Sequence, residues 1–160
     1  MASSRFAISF MPEGEIVAAT PDHAEALYLL GTLLSQRGHH TEGMELFDRA
    51  LRANPGHVVA RISRGNVLLA LGRNAEALPD YDRVLAAMPD NAAALYNRGC
   101  ALQKMRQYQA ALASYDKVLA IMPGNFFALH NRGAALLGLK RFGEALTSFD
   151  RALTIEVDDI

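Results

Sequence analysis

Four prolines, Pro21, Pro55, Pro89 and Pro123, stand 34 residues apart. Gly31, Gly65, Gly99 and Gly133 keep the same period. So do the small residues Gly43, Ala77, Ala111 and Ala145, and the aromatics Phe47, Tyr81, Tyr115 and Phe149. Agreement of four columns means that one template is repeated four times over residues 24–159. A fixed period of this length belongs to arrays, in which each unit buries its apolar face against its neighbours.

Each copy reads as two helices. In the third, the first helix spans about Ala92 to Met105, with Asn91 as its cap, and the second about Gln109 to Ile121, ending before Pro123. Apolar residues recur at i, i+3, i+4 and i+7 in both, and no segment alternates with period two, so no sheet is expected. The glycine and small-residue columns let the two helices of a copy cross closely, with the aromatic beside them. Pro79 falls inside a second helix, where it removes one hydrogen bond or bends the helix.

The chain holds 16 basic and 17 acidic residues, a formal net charge of -1. That balance argues against nucleic acid and an anionic membrane surface as partners. No apolar run approaches the roughly 20 residues of a membrane-spanning helix. Cys100 is the single cysteine, so there is no intrachain disulfide and no cysteine-rich zinc site. The start, MASSRFAISFMPEGE, is a poor signal peptide. A cytoplasmic location is expected.

No catalytic constellation emerges. Cys100 has no histidine in its copy and reads as a small packing or groove residue. His39 and His40 share a turn but point apart, with no third ligand nearby. His23 and His57 precede first helices, where capping or solvation explains them. Every glycine has a repeat-geometry explanation, so none is read as a phosphate loop. The acids read as solvated faces and interhelical pairs. We expect no enzymatic activity, no metal and no cofactor.

A 34-residue helix pair with Gly at the eighth place, Ala at the twentieth, an aromatic at the twenty-fourth and Pro at the thirty-second resembles the tetratricopeptide repeat (TPR). The resemblance covers residues 24–159. It departs at the fourth place, where Leu27, Arg61, Leu95 and Leu129 replace tryptophan, and at Val157, where a fifth proline would fall. It implies an all-α fold, a right-handed TPR solenoid of four helix-turn-helix repeats at 24–57, 58–91, 92–125 and 126–159. A short N-terminal helical segment within 1–23 is expected to cap the stack. There EIVAATP is in register with RALRANP and RVLAAMP, and Phe10 and Val17 take places of packed Leu or Met.

The resemblance also implies a concave groove that binds a protein or an extended peptide, lined by the second, fifth, sixth and ninth places of each copy. Carried over, these give Glu25, Tyr28, Leu29 and Thr32, then Val59, Ile62, Ser63 and Asn66, then Ala93, Tyr96, Asn97 and Cys100, then Phe127, His130, Asn131 and Ala134. Tyr28, Tyr96 and Phe127 have a second reading, packing against neighbouring repeats. The carboxylate clamp of some TPR modules is excluded, because Ile62, Phe127 and Asn131 stand where it needs basic residues. Asn97 and Asn131 take places of the asparagine ladder in O-linked N-acetylglucosamine transferase arms. "LYNRG", "RFGEAL" and "EALTSFD" resemble bacterial arms of that kind. The substrate-binding arm of a larger glycosyltransferase is therefore one alternative. Another is assembly: Leu146 and Leu153 lie on the face that earlier copies turn to the next, so end-to-end association of copies, or a longer parent protein, is expected.

Arg64, Arg98 and Arg132 recur at 34-residue intervals inside the first helices, and Asp48, Asp82, Asp116 and Asp150 recur in the second. Copy one has Leu30 in the arginine place and the upstream segment has Gly14 in the aspartate place. This favours pairing of each arginine with the preceding copy, Asp48–Arg64, Asp82–Arg98 and Asp116–Arg132, over pairing within a copy.

Overall fold

The structure, a computed structural model, describes residues 23–158. Among them are eight helices and no strand. They are α1 (Ala24–Gln36), α2 (His40–Ala53), α3 (Val58–Ala70), α4 (Asn74–Ala87), α5 (Ala92–Lys104), α6 (Tyr108–Ile121), α7 (Phe126–Gly138) and α8 (Phe142–Asp158). The expected all-α helix-turn-helix organisation is present. The expected N-terminal helical segment lies outside the described residues. Two compact units divide between Val67 and Leu68, within α3.

Sequence sets the helix ends. The odd-numbered helices open on a capping side chain at one repeated place. His23 Nδ1 accepts from Ala26 N and His57 Nδ1 from Ala60 N, each at 3.3 Å. Asn91 Oδ1 accepts from Ala94 N at 2.9 Å and Asn125 Oδ1 from Ala128 N at 2.8 Å. Each satisfies a backbone donor that the first turn leaves without a partner. The prolines close α2, α4 and α6. Asn54, Met88 and Met122 each precede a proline, and all three leave helical geometry with φ between −138° and −131°. A proline ring crowds the residue before it out of the α region. In α8 Val157 replaces the proline, and that helix runs 17 residues against 14 in α2, α4 and α6. Pro79 lies inside α4, which continues through it.

Where a pair of helices crosses, the small residues meet the aromatics. A Cβ on Gly99 would stand 2.6 Å from the Tyr115 ring, and one on Gly133 would stand 2.7 Å from the Phe149 ring. Gly31 and Gly43 face each other across α1 and α2, so that a Cβ on Gly43 would lie 2.8 Å from the Gly31 carbonyl oxygen. Phe47, Tyr81 and Tyr115 are among the largest fully buried side chains. Arg61, in the place of Leu27, Leu95 and Leu129, is also buried, and its Nη2 donates to the Pro55 carbonyl at 2.6 Å.

The repeated arginines reach in two directions. Arg98 Nε donates to Asp82 Oδ1 and Arg132 Nε to Asp116 Oδ1, both at 2.6 Å, and Arg64 pairs with Asp48. All three pairs therefore run to the preceding second helix, as the end columns indicate. The other arm points forward: Arg98 Nη1 donates to Ser114 Oγ at 3.0 Å and Arg132 Nη1 to Ser148 Oγ at 2.5 Å. Ser114 and Ser148 are buried. The aspartates are not, since their side chains keep 43–54% of their exposure. Water thus screens the acid end, and each pair contributes less than a buried one would. Its main effect is to fix which turn of one helix meets which turn of the next. A double-mutant cycle on Asp82→Ala and Arg98→Ala is expected to show a coupling of about 0.5–1 kcal/mol. The cycle on Asp116→Ala and Arg98→Ala should show none, and coupling confined to that control would contradict the assigned direction.

Candidate functional site

The carried-over residues fall where helical spacing puts them, on the odd-numbered helices, and the structure gives them different surroundings. In the first unit, Tyr28 is half-buried, with its ring 6.3 Å from Phe47 and 5.1 Å from His57, both within its own copy. Thr32 Oγ1 donates to the Tyr28 carbonyl at 2.9 Å. Ile62 and Ser63 are half-buried and Asn66 is exposed. His57 Nε2 lies 3.2 Å from Glu25 Oε2, but without the alignment of a hydrogen bond.

In the second unit, α5, α6 and α7 build a connected polar cluster. Asn131 Nδ2 on α7 donates to Tyr96 Oη on α5 at 2.9 Å. Tyr115 Oη on α6 donates to Gln103 Oε1 on α5 at 2.8 Å. Cys100 Sγ sits between them, 3.6 Å from both Asn131 Nδ2 and Tyr115 Oη. The Tyr96 and Tyr115 rings stand 6.0 Å apart. Tyr96 is therefore packed against neighbouring helices, with its hydroxyl committed to the next odd-numbered helix. Burial, with the Cys100 thiol beside it, pushes the Tyr96 phenol up to about 12, against the lowering effect of the Asn131 hydrogen bond. Burial raises the Tyr115 phenol as well. Both phenols stay protonated at neutral pH, so the cluster offers hydrogen bonds rather than charge.

This cluster borders an open cavity of about 460 Å³ lined by Cys100, Gln103, Lys104, Tyr108, Tyr115 and Asn131, with Ala134 and Gly138 from α7. Gly138 is required there, because a Cβ would stand 2.7 Å from the Tyr108 ring. Gln103, Lys104 and Tyr108 were missed by the carried-over places. The signal for them was available: Gln103 and Lys104 lie one turn beyond the ninth place, Cys100. Asn97 is half-buried beside the cluster, and His130 and Phe127 are exposed, Phe127 by 66%. The His130 ring stacks 6.2 Å from Phe126 and stands edge-on 5.5 Å from Phe149. Among the described residues no three His, Cys, Asp or Glu side chains are grouped to hold a metal ion, and no helix is long and apolar enough to cross a membrane.

No curated protein matches the chain. Solved structures do. A MamA double mutant (RS-1 ArsTM) superposes with a TM-score of 0.87 at 24% identity, covering 97% of this chain and 86% of that one. MamA from residue 41 to its end, from Desulfovibrio magneticus RS-1, gives 0.86 at 24% identity, with 98% and 88% covered. YrrB, described as a TPR protein with an unusual peptide-binding site, gives 0.81 at 24% identity, with 96% and 78% covered. At such identities the likeness establishes the fold. Two family models, both described as tetratricopeptide repeat, match the sequence itself, one over residues 58–124 and the other over 14–58 and 96–157. The chain belongs to the tetratricopeptide repeat family.

Proposed function

We propose that the chain is a non-catalytic module that binds an extended peptide or a partner protein, and that in the second unit the contact surface is formed by Tyr96, Asn97, Phe127, His130 and Asn131. The observation that carries the reading is the Tyr96–Asn131 hydrogen bond at the rim of the 460 Å³ cavity. It fixes the Asn131 amide, which lines the cavity, against the Tyr96 hydroxyl behind it. Fixed amides donate to and accept from an extended backbone, and aromatic rings add apolar area at low entropy cost. YrrB, of the same fold, carries a peptide-binding site in its own description. In the first unit Tyr28, Thr32, Ile62, Ser63 and Asn66 take the same places and are assigned the same role.

Capture from the source lysate tests this. The double variant Asn97→Ala, Asn131→Ala is expected to retain roughly a tenth or less of the partner held by the unaltered chain, as for loss of central contacts. Circular dichroism must show both proteins equally helical. Equal capture by both sinks the assignment.

Association of copies through α8 is a second reading, favoured by the exposure of Leu146 and Leu153 at 62% and 57%. It requires an apparent mass that rises with concentration.

A further inference from the structure

The turns inside the copies of the second unit carry an excess of positive charge. Arg73 and Arg141 are each matched by a glutamate three residues on, Glu76 and Glu144. Among the described residues, Lys104, Arg106 and Lys140 in equivalent turns make no ion pair. These cations gather at the cavity between α5, α6 and α7. Lys104 lines it, Arg106 stands between the lining residues Lys104 and Tyr108, and Lys140 follows the lining residue Gly138 by two places. No carboxylate stands among the described residues that line the cavity.

The internal hydrogen bonds sort the remaining polar groups by their chemistry. Tyr115 Oη donates to Gln103 Oε1, which ties down the carbonyl end of that amide and leaves its NH2 end to donate. Asn131 is held the other way round. Its Nδ2 donates to Tyr96 Oη and to Cys100 Sγ, so its carbonyl oxygen is left to accept. Gln103 and Lys104 are consecutive on α5. A donor amide and an ammonium therefore stand together on the α5 wall, with an acceptor on the α7 wall. The Tyr108 ring, close against Gly138, supplies an apolar surface beside them.

We propose that the cavity takes the carboxylate side chain of an aspartate or glutamate in the bound peptide. Lys104 and the Gln103 amide donate to the carboxylate, and Asn131 Oδ1 accepts from the peptide backbone next to it. The stem of the acid lies against the Tyr108 ring and Ala134. Arg106 and Lys140 are exposed, so they add an attractive field that salt weakens. The inference rests on the peptide-binding reading and names a side chain that reading leaves open. It is not the carboxylate clamp excluded from the sequence, whose basic residues belong at the second, fifth and sixth places. Lys104 is the thirteenth residue of its copy.

The test is selection of a random peptide library on the immobilised full chain, with the peptides displayed on phage between flanking segments so that every carboxylate is a side chain. Recovered peptides are expected to share an Asp or Glu at one place. Selection on Lys104→Glu should exchange that residue for Lys or Arg and keep the rest of the shared pattern. Lys104 is exposed, so its variants are expected to fold. A recovered sequence, synthesised with both ends blocked, should bind about fivefold more weakly when its acid is replaced by the matching amide, the scale of a partly exposed ion pair. That replacement should have no effect on a chain carrying Lys104→Met. Binding of the acidic peptide should shift the Gln103 side-chain amide resonances, and Lys140→Met should weaken it less than Lys104→Met does. If neither protein enriches any peptide, peptide binding itself falls and this inference with it. If peptides are enriched without a shared acid, or keep it on Lys104→Glu, peptide binding stands and the acid pocket is overturned. Equal losses from Lys104→Met and Lys140→Met would overturn it too, because the field of the turns alone would then be at work.

Discussion

Tyr115→Ala is expected to lower the stability of the chain by about 4 kcal/mol, the scale for deleting a buried aromatic ring. Tyr115 has no exposed surface and packs with Leu102, Ala111 and Ala135, which belong to three different helices. Its ring fills the gap that Gly99 leaves open. Removing it creates a cavity that rigid helices cannot close. Tyr115→Phe keeps the ring and removes the hydroxyl with its hydrogen bond to Gln103 and its weaker contact with Cys100, so about 1 kcal/mol is expected. Guanidinium unfolding followed by circular dichroism gives both numbers, provided the slope of the transition is unchanged. If the two variants lose similar amounts, the hydroxyl and not the ring holds the site together.

Gly43→Ala and Gly143→Ala are expected to change stability in opposite directions. Both glycines sit in second helices, where alanine is favoured by about 1 kcal/mol in helix propensity. At Gly143 a Cβ meets nothing within 4 Å, so most of that gain should appear. At Gly43 the Cβ would lie 2.1 Å from Ser35 Oγ and 2.8 Å from the Gly31 carbonyl oxygen. The serine can rotate, but the carbonyl belongs to a helix backbone, so α1 and α2 must part. Overpacking of this kind outweighs propensity, and a net loss of roughly 2 kcal/mol is expected. A Gly43→Ala protein as stable as the unaltered chain would mean that the helices have slack at their closest crossing.

How much of this was legible in the sequence depended on whether a signal repeated. The helix pairs, the capping places and the close crossings stood in columns 34 residues apart, and the structure realises them. The direction of the arginine pairs was legible from Leu30 and Gly14, where both partners vanish together. The forward arm also has a column, which reads Leu46, Asp80, Ser114, Ser148. Leu46 is the informative member: Leu30 and Leu46 share one apolar cluster, so the arginine and its hydroxyl partner are replaced together by two leucines. The degree of burial was illegible, because a column gives the neighbour of a side chain but not its exposure to water. The same limit holds for the groove. Tyr28 and His130 both stand at the fifth place of their copies, yet one is half-buried, packed between Phe47 and His57, and the other is exposed. That difference arises from what adjoins each helix, which no single position records. The turn geometry is written in a column as well. Arg106 and Lys140 take φ of 59° and 60°, in register with Gly38 and Gly72, whose glycines announced a left-handed turn that the later members must also adopt.

Each arginine clasp spans the same distance along the chain: 16 residues back to an aspartate and, at Arg98 and Arg132, 16 forward to a serine. Closing so short a loop costs little entropy, and a network made of such contacts has low contact order, the condition for rapid folding. On a ribosome the consequence is directional. Arg98 can engage Asp82 as soon as α5 has emerged, while Ser114 is still inside the exit tunnel. Its second arm then waits for α6, so the arginine that has locked one helix in place is already presented to the next.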